Sequence, residues 1–118
     1  MLRIVIVSTE KHWARQVAAI FPEWEMHVEQ LHDPRLLLPA TSRWDALVLD
    51  LDLAEAHTSN LAEFMETVVS GAGHTVVLIP PRLMHLEPQF AGTGIFVLRK
   101  PTSSGEIALA LRMLLKGP

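Results

Sequence analysis

Two acids and one lysine stand at places in this sequence where chemistry is common. Asp50 and Asp52 lie near the end of the apolar run 44–53, and Lys100 closely follows the apolar run 95–98. Short runs of this kind, rich in Leu and Val, are typical of strands that are buried on both faces. In open α/β sheets, binding sites lie just beyond the carboxyl ends of such strands. The first question is therefore whether Asp50 does chemistry or only forms an ion pair with Lys100.

The composition narrows the classes of function that the chain can have. Hydrophobic residues make up 49% and charged residues 19% of the 118 positions, which is typical of a folded globular domain. The net charge of −3 argues against a surface that binds nucleic acid directly. Because there is no cysteine, disulfides, thiolate catalysis and cysteine-based metal centres are excluded. Neither a membrane helix nor a signal peptide is predicted, so we expect a cytoplasmic protein that binds no membrane.

The hydrophobic pattern predicts five strands that alternate with five helices. The predicted strands are 2–7, 26–31, 44–53, 75–79 and 95–98. The predicted helices are 10–21, 36–38, one that starts after Ser59 or Asn60, 82–90 and one that starts near Ser103 or Ser104. Because strands and helices alternate, we expect a parallel sheet with helices on both faces. No repeat or linker interrupts the chain, so residues 1–118 are interpreted as a single domain.

Several residues are predicted to set the ends and faces of these helices. The hydroxyls of Ser8 and Thr9 can cap the first helix, because a side-chain oxygen there accepts a bond from a free backbone amide. The apolar face of that helix is formed by Trp13, Val17 and Ile20. Residues 54–58 are predicted to form a loop, and Ser103 with Glu106 fits a capping box at the last helix.

Residues 45–50 and 92–101 resemble two stretches of the receiver domains of bacterial response regulators. The first stretch ends on Asp50, as the family's third strand ends on its phosphoacceptor aspartate, and the second ends in Lys100-Pro101, which is similar to the family's Lys-Pro pair. The length and the five strand–helix units also match. The resemblance implies an α/β, flavodoxin-like doubly wound five-stranded parallel sheet with strand order 2-1-3-4-5 and about five flanking helices. It also implies a role in two-component signal transduction.

The resemblance assigns candidate roles to four residues. In the family, phosphoryl transfer to the aspartate needs cations around the phosphoryl group, because that group spreads negative charge. Asp50 is accordingly the phosphoacceptor candidate, and Lys100 is the candidate for contacting the phosphoryl oxygens. For the family's Mg²⁺, the weak candidates are Asp50, Asp52 at the position of the carbonyl ligand, and Glu10, which stands one position late.

Four positions of the family's metal site and switch pair depart from its pattern. The acid pair that helps to hold Mg²⁺ falls on Ser8 and Thr9, and hydroxyls are weak Mg²⁺ ligands. The family's hydroxyl after the fourth strand falls on Pro80, and its aromatic residue in the fifth strand falls on Val97, with Phe96 on the opposite face. The chain therefore resembles a degenerate receiver, or pseudo-receiver. We expect a non-enzymatic module without a cofactor, which acts through protein–protein interaction and without Mg²⁺-dependent phosphorylation.

The resemblance also bears on binding partners, and two other functions are compatible with the sequence. The resemblance implies a protein partner, such as a histidine kinase or an output protein, and a homodimer formed through the fourth helix, fifth strand and fifth helix. One alternative is an atypical receiver in a phosphorelay, phosphorylated on Asp50 with Mg²⁺. Another is a flavodoxin-like domain that binds a small ligand at the strand ends, although no Gly-rich phosphate loop follows the first strand. Ser8 and Thr9 could also bind an anion at a helix N-terminus.

Overall fold

Five parallel strands form one sheet in the order β2-β1-β3-β4-β5, which confirms the predicted topology. The structure, a computed structural model, describes residues 1–37 and 43–115. The strands are β1 (Leu2–Val7), β2 (Met26–Leu31), β3 (Trp44–Asp50), β4 (Ala72–Ile79) and β5 (Phe96–Arg99). The helices are α1 (Trp13–Ile20), α2 (Leu51–Ala56), α3 (Leu61–Ser70) and α4 (Ser104–Leu114), together with a first 3₁₀ helix (Pro34–Leu37) and a second 3₁₀ helix (Pro81–Phe90).

The sheet separates two apolar clusters because successive side chains of a strand point to opposite faces. On β1, Ile4 and Ile6 pack with α1 and α4, whereas Val5 and Val7 pack with α2, α3 and the second 3₁₀ helix. All four side chains are fully buried. Burial on both faces explains why the sequences of the central strands are nearly unbroken apolar runs. β2 is an edge strand, and over most of its length half-buried residues alternate with exposed ones.

Strand register brings the candidate site residues to one edge of the sheet. Val7 lies beside Leu49, and Asp50 lies beside Leu78. The amide of Lys100, just past β5, donates a hydrogen bond to the last carbonyl of β4 at 2.8 Å. Because all strands are parallel, the segments that follow β1, β3, β4 and β5 meet at this edge.

Ser8 and Thr9 do not cap the first helix, so that prediction is wrong. α1 begins at Trp13, and its N-cap is His12, whose φ of 68° lies in the left-handed region. The Ser8 hydroxyl oxygen instead accepts a hydrogen bond from the Glu10 amide at 3.1 Å, inside a turn directly after β1. Hydroxyl side chains compete with helix formation in this way by bonding to nearby backbone. Glu10, predicted to be helical, therefore precedes the helix.

The apolar face of α1 also ends differently from the prediction. Trp13 and Val17 are buried as expected, but Ile20 is 43% exposed. Phe21 is buried in its place and stacks on Trp24, with 4.7 Å between the ring centroids. Phe21 follows the last helical residue, so the helical periodicity that pointed to Ile20 no longer applies there.

β3 ends at Asp50, three residues earlier than predicted. The helix α2 follows at once and occupies both the end of the predicted strand 44–53 and the start of the predicted loop 54–58. The Asp50 carboxylate accepts a hydrogen bond from the Asp52 amide at 3.2 Å and so caps α2. Leu51 and Ala54 are fully buried, at the i, i+3 spacing of one helix face. Because the apolar residues of β3 and α2 follow one another in the sequence, the hydrophobic pattern did not show where the strand ends and the helix begins.

The remaining elements agree with the predictions apart from their ends. β4 begins at Ala72, and β5 spans Phe96–Arg99. The helix interrupted by Pro88 is a 3₁₀ helix, and Asn60 and Ser103 cap α3 and α4 as predicted. The predicted helix 36–38 appears as the first 3₁₀ helix, and residue 38 lies outside the described residues. Within residues 1–37 and 43–115, no helix is long and apolar enough to cross a membrane.

Candidate functional site

The centre of the site is an ion pair between Asp50 and Lys100. The Lys100 ammonium donates to both carboxylate oxygens of Asp50, at 3.2 Å to Oδ1 and 3.0 Å to Oδ2. Asp50 is buried, whereas the Lys100 side chain is 26% exposed. A buried carboxylate needs such a partner, since an unpaired charge in the interior is costly. The two residues are 50 positions apart in the sequence, so only the parallel sheet brings them together.

The Asp50 carboxylate also has a structural role at the start of α2. Its Oδ1 accepts bonds from both the Lys100 ammonium and the Asp52 amide. Both carboxylate oxygens therefore already accept hydrogen bonds from the protein. The arrangement holds the ends of β3 and β5 together and fixes the first turn of α2.

Asp52 turns toward a different cation. Arg82, in the second 3₁₀ helix, forms ion pairs with Asp52 and with Glu55, the latter at 2.8 Å. Hydrogen bonds from the guanidinium to Asp52 and then to Glu55 raise the pKa of Arg82 above its usual value. This bridge ties α2 to the segment after β4. Sequence reasoning did not predict it, because a lone arginine two residues after Pro80 carries no distinctive pattern.

The turn that follows β1 is held by one side chain from β2 and one from the residue just after it. The Gln30 amide nitrogen donates to the Ser8 carbonyl at 3.1 Å and also to the Glu10 carbonyl, and its amide oxygen accepts from the Ala14 amide at 3.1 Å. The His32 Nδ1 lies 3.0 Å from the Ser8 carbonyl oxygen. Gln30 thus supplies the side-chain bond to the start of α1 that Ser8 and Thr9 were expected to make. A single glutamine on an edge strand gave no sign of this role in the sequence.

Ser8, Thr9, Pro80 and Val97 occupy the remaining positions singled out in the sequence. Ser8 is fully buried and Thr9 is exposed. Pro80 is buried at the end of β4 and offers no side-chain donor. Val97 packs with the cluster around α3, and Phe96 packs with the cluster around α1 and α4, so the two lie on opposite faces as predicted.

The side chains at this edge do not fit a magnesium ion. No group of three His, Asp or Glu residues in the described ranges lies close enough together to hold a metal. Of the three weak candidates, Asp50 is bonded to Lys100, Asp52 is paired with Arg82, and Glu10 does not join them in a carboxylate cluster. Mg²⁺ dehydrates reluctantly and requires near-octahedral geometry, usually with one or two carboxylate ligands, and here Asp50 and Asp52 are both taken up by ion pairs. Chemically, the arrangement consists of two intramolecular ion pairs, Asp50 with Lys100 and Asp52 with Arg82.

Comparison with known proteins identifies the fold. No family model matches the sequence, and no curated protein sequence matches it significantly. Among solved structures, a response regulator receiver protein from Burkholderia phymatum is 15% identical, with a TM-score of 0.68, over 100% of this chain and 99% of that chain. The Francisella response regulator 1452 receiver domain is 17% identical, with a TM-score of 0.68, over 97% and 96% of the two chains.

A third similar structure comes from a protein described as an enzyme. The adenylate cyclase from Rhodopirellula baltica is 12% identical, with a TM-score of 0.70, over 97% of this chain and 87% of that chain. At these identities, the similarities establish the fold. The chain therefore has the fold of response regulator receiver domains along its whole length.

Proposed function

We propose that this chain is a receiver-like signalling module that acts by binding another protein, without Mg²⁺-dependent phosphorylation of Asp50. The observation that carries the proposal is the pairing at the strand ends. Asp50 is bonded to Lys100, and the next acid, Asp52, is paired with Arg82. These acids form internal bridges in place of a carboxylate cluster around a metal.

Electrostatics support this proposal. A transferring phosphoryl group carries negative charge that must be neutralised by cations placed around it, most often with a divalent metal. Here Lys100 is the cation that contacts Asp50. The positions that would supply further metal ligands and a hydroxyl hold Ser8, Thr9 and Pro80, and the Ser8 hydroxyl already bonds to the Glu10 amide.

Phosphorylation is tested with a small phosphodonor. The protein is incubated with acetyl phosphate and Mg²⁺, and intact-mass spectrometry measures the adduct, with an active receiver domain treated in parallel. We expect no phosphoryl adduct on this chain while the active receiver is modified. A stoichiometric adduct that disappears in Asp50→Asn would contradict the proposal, because this variant keeps a side chain able to cap α2.

The alternative function is an atypical receiver in a phosphorelay that is phosphorylated on Asp50. The observation that favours it is the lysine directly beside the candidate acceptor, with 3.0 Å between the Lys100 ammonium and the nearer Asp50 oxygen. Beryllofluoride, an analogue of the aspartyl phosphate, distinguishes the two functions. A Mg²⁺-dependent ¹⁹F resonance of bound analogue, absent in Asp50→Asn, would support the alternative.

For the binding surface, we propose the second 3₁₀ helix, β5 and α4, with a second copy of the chain as partner. Leu109 and Met113 are 61% and 65% exposed and stand one turn apart on α4. Phe96, Val97 and Leu98 are only half-buried, since β5 is an edge strand. Sedimentation equilibrium tests this interface. We expect dimers that dissociate in Leu109→Glu, whereas Ala19→Glu on α1 should leave the mass unchanged; a wild-type monomer would contradict the homodimer.

A further inference from the structure

A cavity of about 520 Å³ lies between α3 and the second 3₁₀ helix. Pockets for small organic ligands measure roughly 300–1,000 Å³, so the cavity is large enough for one. Its lining contains none of the residues of the strand-end site. It is formed by Leu61, Ala62, Met65, Glu66, Val69, Ser70, Leu86, Gln89, Phe90, Thr93 and Ile95. A ligand bound there would not contact the Asp50–Lys100 pair.

Two stripes of α3 build one wall of this cavity. Leu61, Met65 and Val69 recur at every fourth residue and therefore form one row on the helix surface. These three side chains are buried or half-buried and belong to the apolar cluster on this face of the sheet. The neighbouring row, one residue further along, is exposed and consists of Ala62, Glu66 and Ser70. The wall is thus apolar inside, and Glu66 and Ser70 place polar groups at its rim.

The opposite wall repeats this division. Leu86, Phe90 and Ile95 are half-buried and apolar, and Gln89 and Thr93 are exposed. The segment between β4 and β5 contains the second 3₁₀ helix, which begins at Pro81 and has Pro88 in its interior.

The charge at the rim of the cavity is negative. Among the described residues that line the cavity, Glu66 alone is charged. Its exposed carboxylate forms no hydrogen bond and no ion pair within residues 1–37 and 43–115, whereas Asp50, Asp52, Glu55 and Glu87 all have cationic partners. The rim therefore favours a cation over an anion.

We propose that this cavity binds a small organic cation with an apolar body, in the manner of a short alkylamine. The apolar rows would contact the hydrocarbon part, and Glu66 would pair with the ammonium group. Size argues for a small molecule as the occupant, because a stable protein interface involves roughly 20–30 residues on each side, well beyond the lining of this cavity. The site goes beyond the proposed signalling function and does not depend on it.

Three probes of equal chain length test the proposal: octylamine, 1-octanol and octanoate. Each is titrated into the ¹⁵N-labelled full chain, and amide shifts in two-dimensional NMR spectra report where it binds. We expect saturable shifts confined to α3, the second 3₁₀ helix and the start of β5, with octylamine binding tightest and octanoate weakest. No saturable shift with any probe, shifts centred elsewhere, or octanoate binding as tightly as octylamine would overturn the proposal.

Two variants separate the apolar contribution from the charge. Ala62→Phe fills the cavity from an exposed position, so the fold should persist, with an unchanged melting temperature, while binding of all three probes is lost. Glu66→Gln should weaken octylamine by roughly two- to fivefold, to the affinity of octanol, as expected for an exposed ion pair. Glu25→Gln, which changes an exposed carboxylate outside the cavity, is the matched control and should change nothing. Unaltered octylamine affinity in both cavity variants would also overturn the proposal.

Discussion

Two ion pairs of this protein use the same chemistry in opposite settings. Asp50 and Lys100 are 50 residues apart, and their pair is largely buried, with 3.0 Å between the nearest atoms. Asp33 and Arg35 are two residues apart and more exposed, and their closest atoms are 2.7 Å apart. The shorter contact is not the more important one. Water can replace the partner of an exposed charge, whereas a buried charge that loses its partner stays uncompensated.

The largest effect is expected from Lys100→Met. This change leaves the Asp50 carboxylate buried without its cation and should lower the free energy of unfolding by about 3 kcal/mol, the lower end of the range for buried pairs, since Lys100 is 26% exposed. Urea denaturation measures the effect. Lys11→Met, which removes an exposed ammonium, is the control and should leave the midpoint unchanged.

A double variant sharpens this prediction. Asp50→Asn removes the buried charge but keeps an N-cap side chain for α2. Asp50→Asn combined with Lys100→Met should therefore be more stable than Lys100→Met alone. If the double variant is no more stable than Lys100→Met alone, the loss of stability in Lys100→Met does not come from an uncompensated buried charge. Burial would then not be what distinguishes the Asp50–Lys100 pair from the Asp33–Arg35 pair.

A smaller effect is expected from Gln30→Leu. This change tests uncharged hydrogen bonds whose burial lies between that of the Asp50–Lys100 pair and that of the Asp33–Arg35 pair. The change removes the bonds to the Ser8 and Glu10 carbonyls and to the Ala14 amide, and should cost about 1–2 kcal/mol because the bonds to Ser8 and Ala14 are partly buried. Hydrogen exchange should speed up at the Ala14 amide and leave β4 unaffected. Gln16→Leu, on the exposed side of α1, is the control; equal exchange at Ala14 in both variants would contradict the role assigned to Gln30.

The smallest effect is expected at the exposed pair and appears in its titration. Hydrogen bonds from the side chain and then the amide of Arg35 lower the pKa of Asp33 from 3.8 to about 2. Because the pKa is lowered in the folded state, the pair stabilises the fold above pH 4, and this contribution is lost as the pH falls toward 2. In Arg35→Met, the Asp33 pKa should rise toward 3.8 but stay below it, since the amide bond remains. Carboxyl ¹³C NMR measures this pKa; a value still near 2 would show that the guanidinium does not matter.

Much of the fold was predictable because it depends on patterns that are local in the sequence. The β-branched run of β1 and the apolar run of β4 identified buried strands, and the polar alternation of β2 indicated an edge strand. Asn60 and Ser103 were recognisable as helix caps, since a cap bonds to an amide three residues away. Asp50 and Lys100 could be predicted to meet because parallel strands end at one edge of the sheet.

Other features depend on contacts between segments that no local pattern connects. Gln30 reaches across from β2 to the turn after β1, and Arg82 reaches from the second 3₁₀ helix to Asp52 and Glu55. Long polar side chains such as these have many rotamers, so their partners are decided by the surrounding backbone. The same holds for the end of β3, where Asp50 caps α2 within a continuous apolar run.

The sequence by itself determined the apolar strands and their parallel direction, because burial on both faces of a sheet selects apolar residues position by position. The strand order and the places of Asp50 and Lys100 were implied by the resemblance to receiver domains. Only the tertiary structure decided what each polar group at that edge does. Asp50 is bonded to Lys100, Asp52 is turned to Arg82, and the Ser8 turn is held by Gln30. The physical reason is that a polar group leaving water takes whichever complementary partner lies within about 3 Å. That partner is known only when the packed elements are in place.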